Sequence, residues 1–470
     1  MTFQIGMLDG RPGQALGALD HLSLAALGIG SGWPSFEAQL QASLIPSRAV
    51  GGGTPTFTRA TTATVLGYAA AAVIADGPTL LSCASGEARF MGARRVSEGV
   101  WATTDANGVA LTTGNGASAA CTDASGPFGY LSEGARTNLV LQSSDFTATW
   151  TAIGTPTNAA GDAVGGVTTQ VIGDDSAVAL EGYGQNVTFT GNAVKTVSLF
   201  VKQGTSTSSV IQLRDNTAGT NRLLAAVTWS GTVPVVTMTT GTDLTGTPVQ
   251  LGTSGKYRLM FATTSVTAAN TNALRILPAT DAALSVLSTG TLECGGVQAE
   301  NGTFTSTYIP TTTGTVARNA DVLTYAAAGN VSNAQGSAYS EATATSVANI
   351  TGGNTRTLAD GGSDAAWQFV GGVTQPCSLF DGTTQVDCGA VAAITNNAVW
   401  KSASSWVGAV MSAVANGGAV GTGVYDGSFG TPTSIGIGQF SGGSQLFGTI
   451  RNVRIYPTAL SDARLQAMTA

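Results

Sequence analysis

The residues able to do chemistry are few. The chain has one histidine, His21. A lone histidine cannot build a multi-histidine metal site. It also removes Ser-His-Asp and Cys-His catalysis from the bulk of the chain, unless the N-terminal region folds back onto it. Paired carboxylates could still cleave glycosidic bonds. The candidates are Asp174, Asp175 and Glu181, or Glu293 and Glu300, whose alternative role is turn capping. Asp360, Asp364, Asp381 and Asp426 offer oxygen ligands for calcium, but no D-x-D-x-D-G loop frames them, so solvated turn aspartates are expected instead. Five cysteines (Cys83, Cys121, Cys294, Cys377, Cys388) are odd in number and contain no C-x-x-C. They read as small buried hydrophobes rather than a disulfide framework, with Cys377 and Cys388 the one pair able to meet across a hairpin. The expectation is therefore a protein with no catalytic residue, metal or cofactor, and not an enzyme.

Glycan binding needs less: an exposed aromatic platform and a few polar groups. Trp367 beside Asp364 and Gln368, together with Trp400 and Tyr183, forms the candidate set. Trp367 is expected to be at least partly exposed, and Trp406 to lie in the core. Trp229 is a further middle-region candidate.

The elements that must position such residues are short strands. Of 470 residues, 63 are glycine and only 10% are charged. High Gly and Thr with little charge suits many strands joined by tight turns. A net charge of −7 with no Lys/Arg run excludes a nucleic-acid footprint. No apolar run reaches the ~20 residues that span a bilayer. The most apolar stretch, 15–30, lacks a basic start, so a soluble chain not exported by a cleaved signal is expected.

Leu and Ala at three- and four-residue spacing in "PGQALGALDHLSLAAL" and "SFEAQLQASLIP" predict one or two short helices within 1–50, the second capped by Ser35 and stopped by Pro46. Beyond "GGGTPT" the period becomes two. Val197, Leu199 and Val201 share a face, as do Tyr257, Leu259 and Phe261, and Val453 with Ile455. Turn signals every eight to twelve residues point to antiparallel sandwiches. Four regions follow: 1–50, a β-rich connecting piece 51–130, one sandwich 131–321 and a second 322–470. "ALSDARLQAMTA" predicts a terminal helix with Ser461 at its N-cap.

Three segments, "FTRATTATV" (57–65), "EARFMGARRV" (87–96) and "GYLSEGARTNLVLQSSDFTATW" (129–150), occur in that order. With "LECGGVQAENGTFTSTYIPTTTGTVARNAD" (292–321) they resemble the lead-in and exit of a carbohydrate-binding-module-like jelly roll in tailed-bacteriophage virion proteins, namely tail fibres, spikes and head fibres. "AVANGGAVGT" (413–422) and "GIGQFSGGSQLFGTIRNVRIYPTALSDARL" (436–465) resemble the close of a concanavalin/laminin-G-like sandwich. The resemblance implies a mainly β chain of tandem antiparallel sandwiches after a short helical segment. It also implies a structural protein on the phage particle surface, docked to other virion proteins through 1–50. Such a protein would be a homo-oligomer, by analogy a trimer, that adheres to host-surface glycan without nucleic-acid or membrane insertion. A purely architectural capsid or tail component and a glycan depolymerase are the alternatives. Within "EGARTNL" the residue types suggest a connection between modules rather than chemistry.

Overall fold

A computed structural model of the chain describes residues 33–111, 129–163, 167–246, 248, 250–285, 288–345, 355–360, 366–370, 372–396, 398–426, 432–439 and 445–470. It is almost entirely antiparallel β-structure. The middle region is a two-sheet jelly roll. One six-stranded sheet runs, in spatial order, Thr151–Ile153, Gly182–Val187, Asn272–Leu277, Ser208–Asp215, Thr220–Ser230 and Val233–Thr240. The other runs Thr157–Ala160, Thr169–Asp174, Gly290–Asn301, Lys195–Gln203, Tyr257–Ala262 and Thr242–Asp243. The period-two residues do what alternation requires. Val197, Leu199 and Val201 meet Leu213, Leu223, Ile276 and Phe261 in one core between the sheets. Trp150 joins that core beside Phe146.

The C-terminal sandwich draws strands from both ends of the chain. Among the described residues its larger sheet runs Arg48–Ala49, Phe36–Gln39, Gly448–Tyr456, Gln335–Ala344, Trp400–Val407, Val410–Ala415 and Gly421–Val424. Gly129–Ser132 also pairs with Gly448–Tyr456, and carries Phe90–Met91 on its other side. The facing sheet runs from Gln385–Asp387 to Val322–Ala326 and ends on Thr56–Thr58. The turn after Val410–Ala415 places Asn416 (φ 46°) and Gly417 (φ 66°) in the left-handed region, which Asn and Gly tolerate best. Asp462–Thr469 forms the terminal helix with Ser461 at its N-cap position, though the Ser461 hydroxyl makes no capping bond.

The helix expected from Ser35 is a strand instead. Phe36 pairs with Ile455 and Ala38 with Val453, and both side chains are fully buried while Gln39 is exposed. Phe36, Ala38 and Leu40 satisfy period two as well as any helical spacing, and an unpaired sheet edge at Gly448–Tyr456 decides between them. Ser35 does not cap; its hydroxyl donates to the carbonyls of Asn330 (2.6 Å) and Ile455 (3.1 Å). The stretch expected to be a separate docking segment thus supplies two strands to the C-terminal sandwich. The other expected helix, within 12–27, lies outside the described residues.

Candidate functional site

The motif residues that carry the family resemblance converge on one buried cluster of charge. Arg59 donates to Asp321 Oδ1 (2.9 Å). Arg89 bridges Glu133 (2.8 Å) and Asp321, and Arg318 closes the circuit onto Glu133. Every one of these side chains is essentially sealed from solvent. Backbone completes the satisfaction of charge: Glu133 N–H donates to Asp321 Oδ2 (3.0 Å), and Thr307 N–H to Glu133 Oε1 (2.9 Å). Arg59 and Arg89 also donate to the carbonyls of Ala84 and Thr64. Burial opposes ionisation of Glu133, but Arg318 and Arg89 outweigh it and hold the carboxyl well below the usual range. Beside the cluster, Arg136 lies over the rings of Phe304 (4.5 Å) and Phe447 (4.6 Å). Phe304 belongs to the jelly-roll exit and Phe447 to the C-terminal sandwich. This constellation has no access to substrate. It clamps the connecting piece and both sandwiches together.

The aromatic candidates for glycan binding are core residues. Trp367 is 0% exposed and stacks on Trp406 at 6.4 Å, which corrects the expectation of an exposed platform. Gln368 is equally buried; its amide donates to the Ser402 carbonyl (3.1 Å) and its carbonyl accepts from Ser340. Trp400 is sealed in the same core. Tyr183 faces inward against Phe146 (5.7 Å) in the jelly roll. Asp364 lies outside the described residues. The reason for the burial is alternation: Trp367 and Gln368 sit in Ala366–Val370, a central strand sealed on both faces, where a polar neighbour signals an internal hydrogen bond rather than a surface.

The carboxylates are likewise committed. Asp174 accepts from Ser176 and Glu181 N–H groups, and Glu181 accepts from Thr155 and Asp175, the pattern of turn capping. Glu293 meets Lys256 (2.7 Å) and Lys202 (3.3 Å). Glu300 accepts from Ser306 N–H and hydroxyl. Asp381 accepts from the N–H groups of Thr383 and Thr384. Among the described residues no group of three His, Cys, Asp or Glu could hold a metal. Cys377 and Cys388 are buried free thiols, joined only through backbone, with Cys388 N–H donating to the Cys377 carbonyl (2.9 Å).

One partly polar surface lies on the outside of the jelly roll, next to an apolar patch where Val210, Leu224, Ala226 and Leu277 are covered by Ile153, Ala282 and Leu284. The jelly-roll sheet containing Ser208–Asp215 turns Ile211, Leu213, Leu274 and Ile276 inward. Its outer face therefore carries Gln212 and Arg214 on one strand and Arg275 on the next. Register places Arg275 opposite Gln212, and Arg214 opposite Ala273, so the two arginines are diagonal neighbours. Asn186 is exposed on the strand beyond Arg275, and Gly184 stands directly opposite Arg275. Gly184 is itself buried: the side chains of Arg275 and Ile153 both lie 3.5 Å from where its Cβ would stand. Alternation in "VIQLRD" and "NALRIL" is the signal that separates these residues from the core; which strands adjoin is not visible in it. A second feature, a cleft of about 190 Å³ lined by Thr61, Thr64, Ser82, Tyr308 and Val316, lies at the joint between modules.

No protein-family model and no curated protein sequence matches the chain. Among solved structures it pairs with domain 4 of AbnA, a GH43 extracellular arabinanase from Geobacillus stearothermophilus, in complex with arabinotriose. Identity is 17% and the TM-score 0.27, over 36% of this chain and 82% of that one. The pairing carries no argument about this chain's ligand.

Proposed function

We propose that the chain is a non-enzymatic glycan-binding protein of a virion appendage, in which two clamped β-sandwiches present a saccharide-binding face to the host surface. The observation that carries the glycan-binding half is the outer jelly-roll face, where the partly exposed Arg214 and Arg275 stand beside the exposed amides of Asn186 and Asn216, the donors and acceptors that sugar hydroxyls use. The virion half rests on the motif resemblance. In its support, Arg59, Arg89, Glu133, Arg318 and Asp321, which are scattered over more than half of the sequence, meet in one cluster, as a shared structural module requires. Attachment to other virion proteins would then fall to the region before Trp33, because Phe36–Gln39 is already used within the sandwich.

The test is a glycan array probed with the full chain, alongside electron microscopy of phage particles labelled with an antibody against 322–470. Saccharide binding together with label on particles is expected. An array with no saccharide bound overturns the adhesive half, and unlabelled particles overturn the virion half.

A purely architectural role is the second reading. Val407, Val410 and Val424 are exposed and lie side by side across the edge of the larger C-terminal sheet, an apolar strip that a neighbouring subunit of a homo-oligomer would cover. Light scattering that finds only monomer at micromolar concentration counts against it.

A further inference from the structure

The chain carries 27 acidic and 20 basic side chains. Against that excess of acid, the outer jelly-roll face is unusual: it holds Arg214 and Arg275 together and no carboxylate paired to either. Within the buried cluster neighbouring arginines share a carboxylate, although Arg136 and Arg258, which feel the charge of Arg318, form no ion pair among the described residues. Arg89 and Arg318 share Glu133, and Arg59 and Arg89 share Asp321. Even the nearest acid in sequence, Asp215, points to the opposite face and is consumed by Arg222 (2.8 Å), Asn270 and the Ala218 N–H.

Arg275 has only a neutral partner, donating to Asn216 Oδ1 (3.1 Å). Partial burial first, then the charge of Arg214, work against its positive charge. Among the described residues Arg214 makes no ion pair. Between them Gln212 is 1% exposed. Its amide donates to Asn221 Oδ1 (2.9 Å), while its own Oε1 has no donor. Two like charges held on adjacent strands cost free energy in the free protein, and a buried acceptor without a donor adds to that cost. An anionic ligand relieves the first; the Gln212 carbonyl is sealed from solvent and stays out of a ligand's reach.

We infer that this face takes an anionic saccharide, a chain bearing carboxylate or sulfate groups, held by the guanidinium groups of Arg214 and Arg275. The inference rests on the glycan-binding reading and narrows it to a ligand class. Planar guanidinium forks match carboxylate and sulfate oxygens two at a time. Diagonal placement on neighbouring strands suits acidic groups spaced along an extended chain better than a single small anion. Asn186 and Asn216, both exposed, supply amides for sugar hydroxyls.

Calorimetry with the full chain tests this, using polygalacturonate, dextran sulfate, and the neutral polymers arabinan and dextran. The expected result is binding of at least one polyanion, weakened about tenfold or more in the Arg214→Gln/Arg275→Gln variant. Raising salt from ~50 to ~300 mM should weaken it too. Polygalacturonate alone would mark carboxylate as the recognised group, and dextran sulfate alone the sulfate ester. Both arginines are partly exposed on a sheet surface, and an unchanged melting curve verifies the fold. Should the glutamine variant unfold, Arg214→Lys/Arg275→Lys keeps the charge but loses the fork, and should still lower affinity. Failure of both polyanions to bind, or equal binding by wild type and variant, overturns the inference. Retained binding of a neutral glycan in that case leaves the broader glycan-binding reading standing; loss of all saccharide binding removes both.

Discussion

Replacing Glu133 with glutamine should uncouple the two sandwiches. The cluster sets three guanidinium groups (Arg59, Arg89, Arg318) against two carboxylates (Glu133, Asp321). Glutamine keeps the size of the side chain but removes one of the two negative charges, so the buried excess rises from one positive charge to two. Removing one partner of a buried ion pair costs ~3–5 kcal/mol. Here the side chains are sealed on every side, so solvent does little to soften it. With a urea slope of ~3 kcal/mol per M, the midpoint should fall by ~1–1.7 M. Tryptophan fluorescence reports both sandwiches, the C-terminal one through Trp367, Trp400 and Trp406 and the jelly roll through Trp150 and Trp229, and limited proteolysis assigns each transition to its module. Wild type should lose both together, and Glu133→Gln should separate them into two transitions. Lys202→Gln, which removes a partly exposed partner of Asp162 and Glu293, serves as the control and should leave the joint transition single. A Glu133→Gln midpoint within ~0.3 M of wild type, with one transition, would refute the view that this cluster holds the modules together.

The same carboxylate predicts a pH dependence. Its folded value lies below the unfolded one, so its stabilisation is complete above the unfolded value of ~4.3 and is lost as pH falls toward the folded one. Wild-type melting temperature should drop from about pH 5 downward, and the drop should be shallower in Glu133→Gln. Trp367→Ala should destabilise the C-terminal sandwich by ~3–5 kcal/mol in denaturant titration, through the cavity it leaves, without altering saccharide affinity of the folded fraction. Arg136→Ala, which strips the guanidinium from over the touching rings of Phe304 and Phe447, should raise the rate of protease cleavage between the modules, seen by gel. Burial pushes the thiols of Cys83 and Cys388 up to about 11 and those of Cys294 and Cys377 up as well. All four should resist maleimide at pH 8 until the protein is denatured, as read by mass spectrometry.

Much of the architecture is legible in the sequence because alternation is local. "KTVSLFVKQG" and "KYRLMFATT" declare strands, and each is one. Asn416–Gly417 declares its turn. The stretch 36–44 misleads, since apolar residues at two-residue steps also fall on helical spacing, and only the distant strand Gly448–Tyr456 settles the matter. The aromatic candidates misled for a related reason. A tryptophan beside polar residues reads as surface, yet Gln368 is a buried bridge between Ser340 and Ser402. Nor could "EGARTNL" disclose its role by itself. Glu133 finds its arginines 44 residues earlier and 185 residues later, separations at which sequence pattern carries no information about contact. Arg214 and Arg275 escaped notice because a single arginine in a strand is ordinary; the absence of acids around the pair is a property of neighbouring strands.

Ser35 and Ile455 stand 420 residues apart and touch. During synthesis Phe36–Gln39 is made long before its partner Gly448–Tyr456, and Thr56–Thr58 long before its partner Val322–Ala326. Such long-range pairing slows folding, and through that interval two open strand edges and the Phe36 side chain stay exposed to proteases and to other nascent chains. A chain that stops before residue 448 would lack Gly448–Tyr456 and with it the seat for Phe36. The C-terminal sandwich therefore closes only once that strand has been made, and a product cut short of it keeps Phe36–Gln39 without a partner.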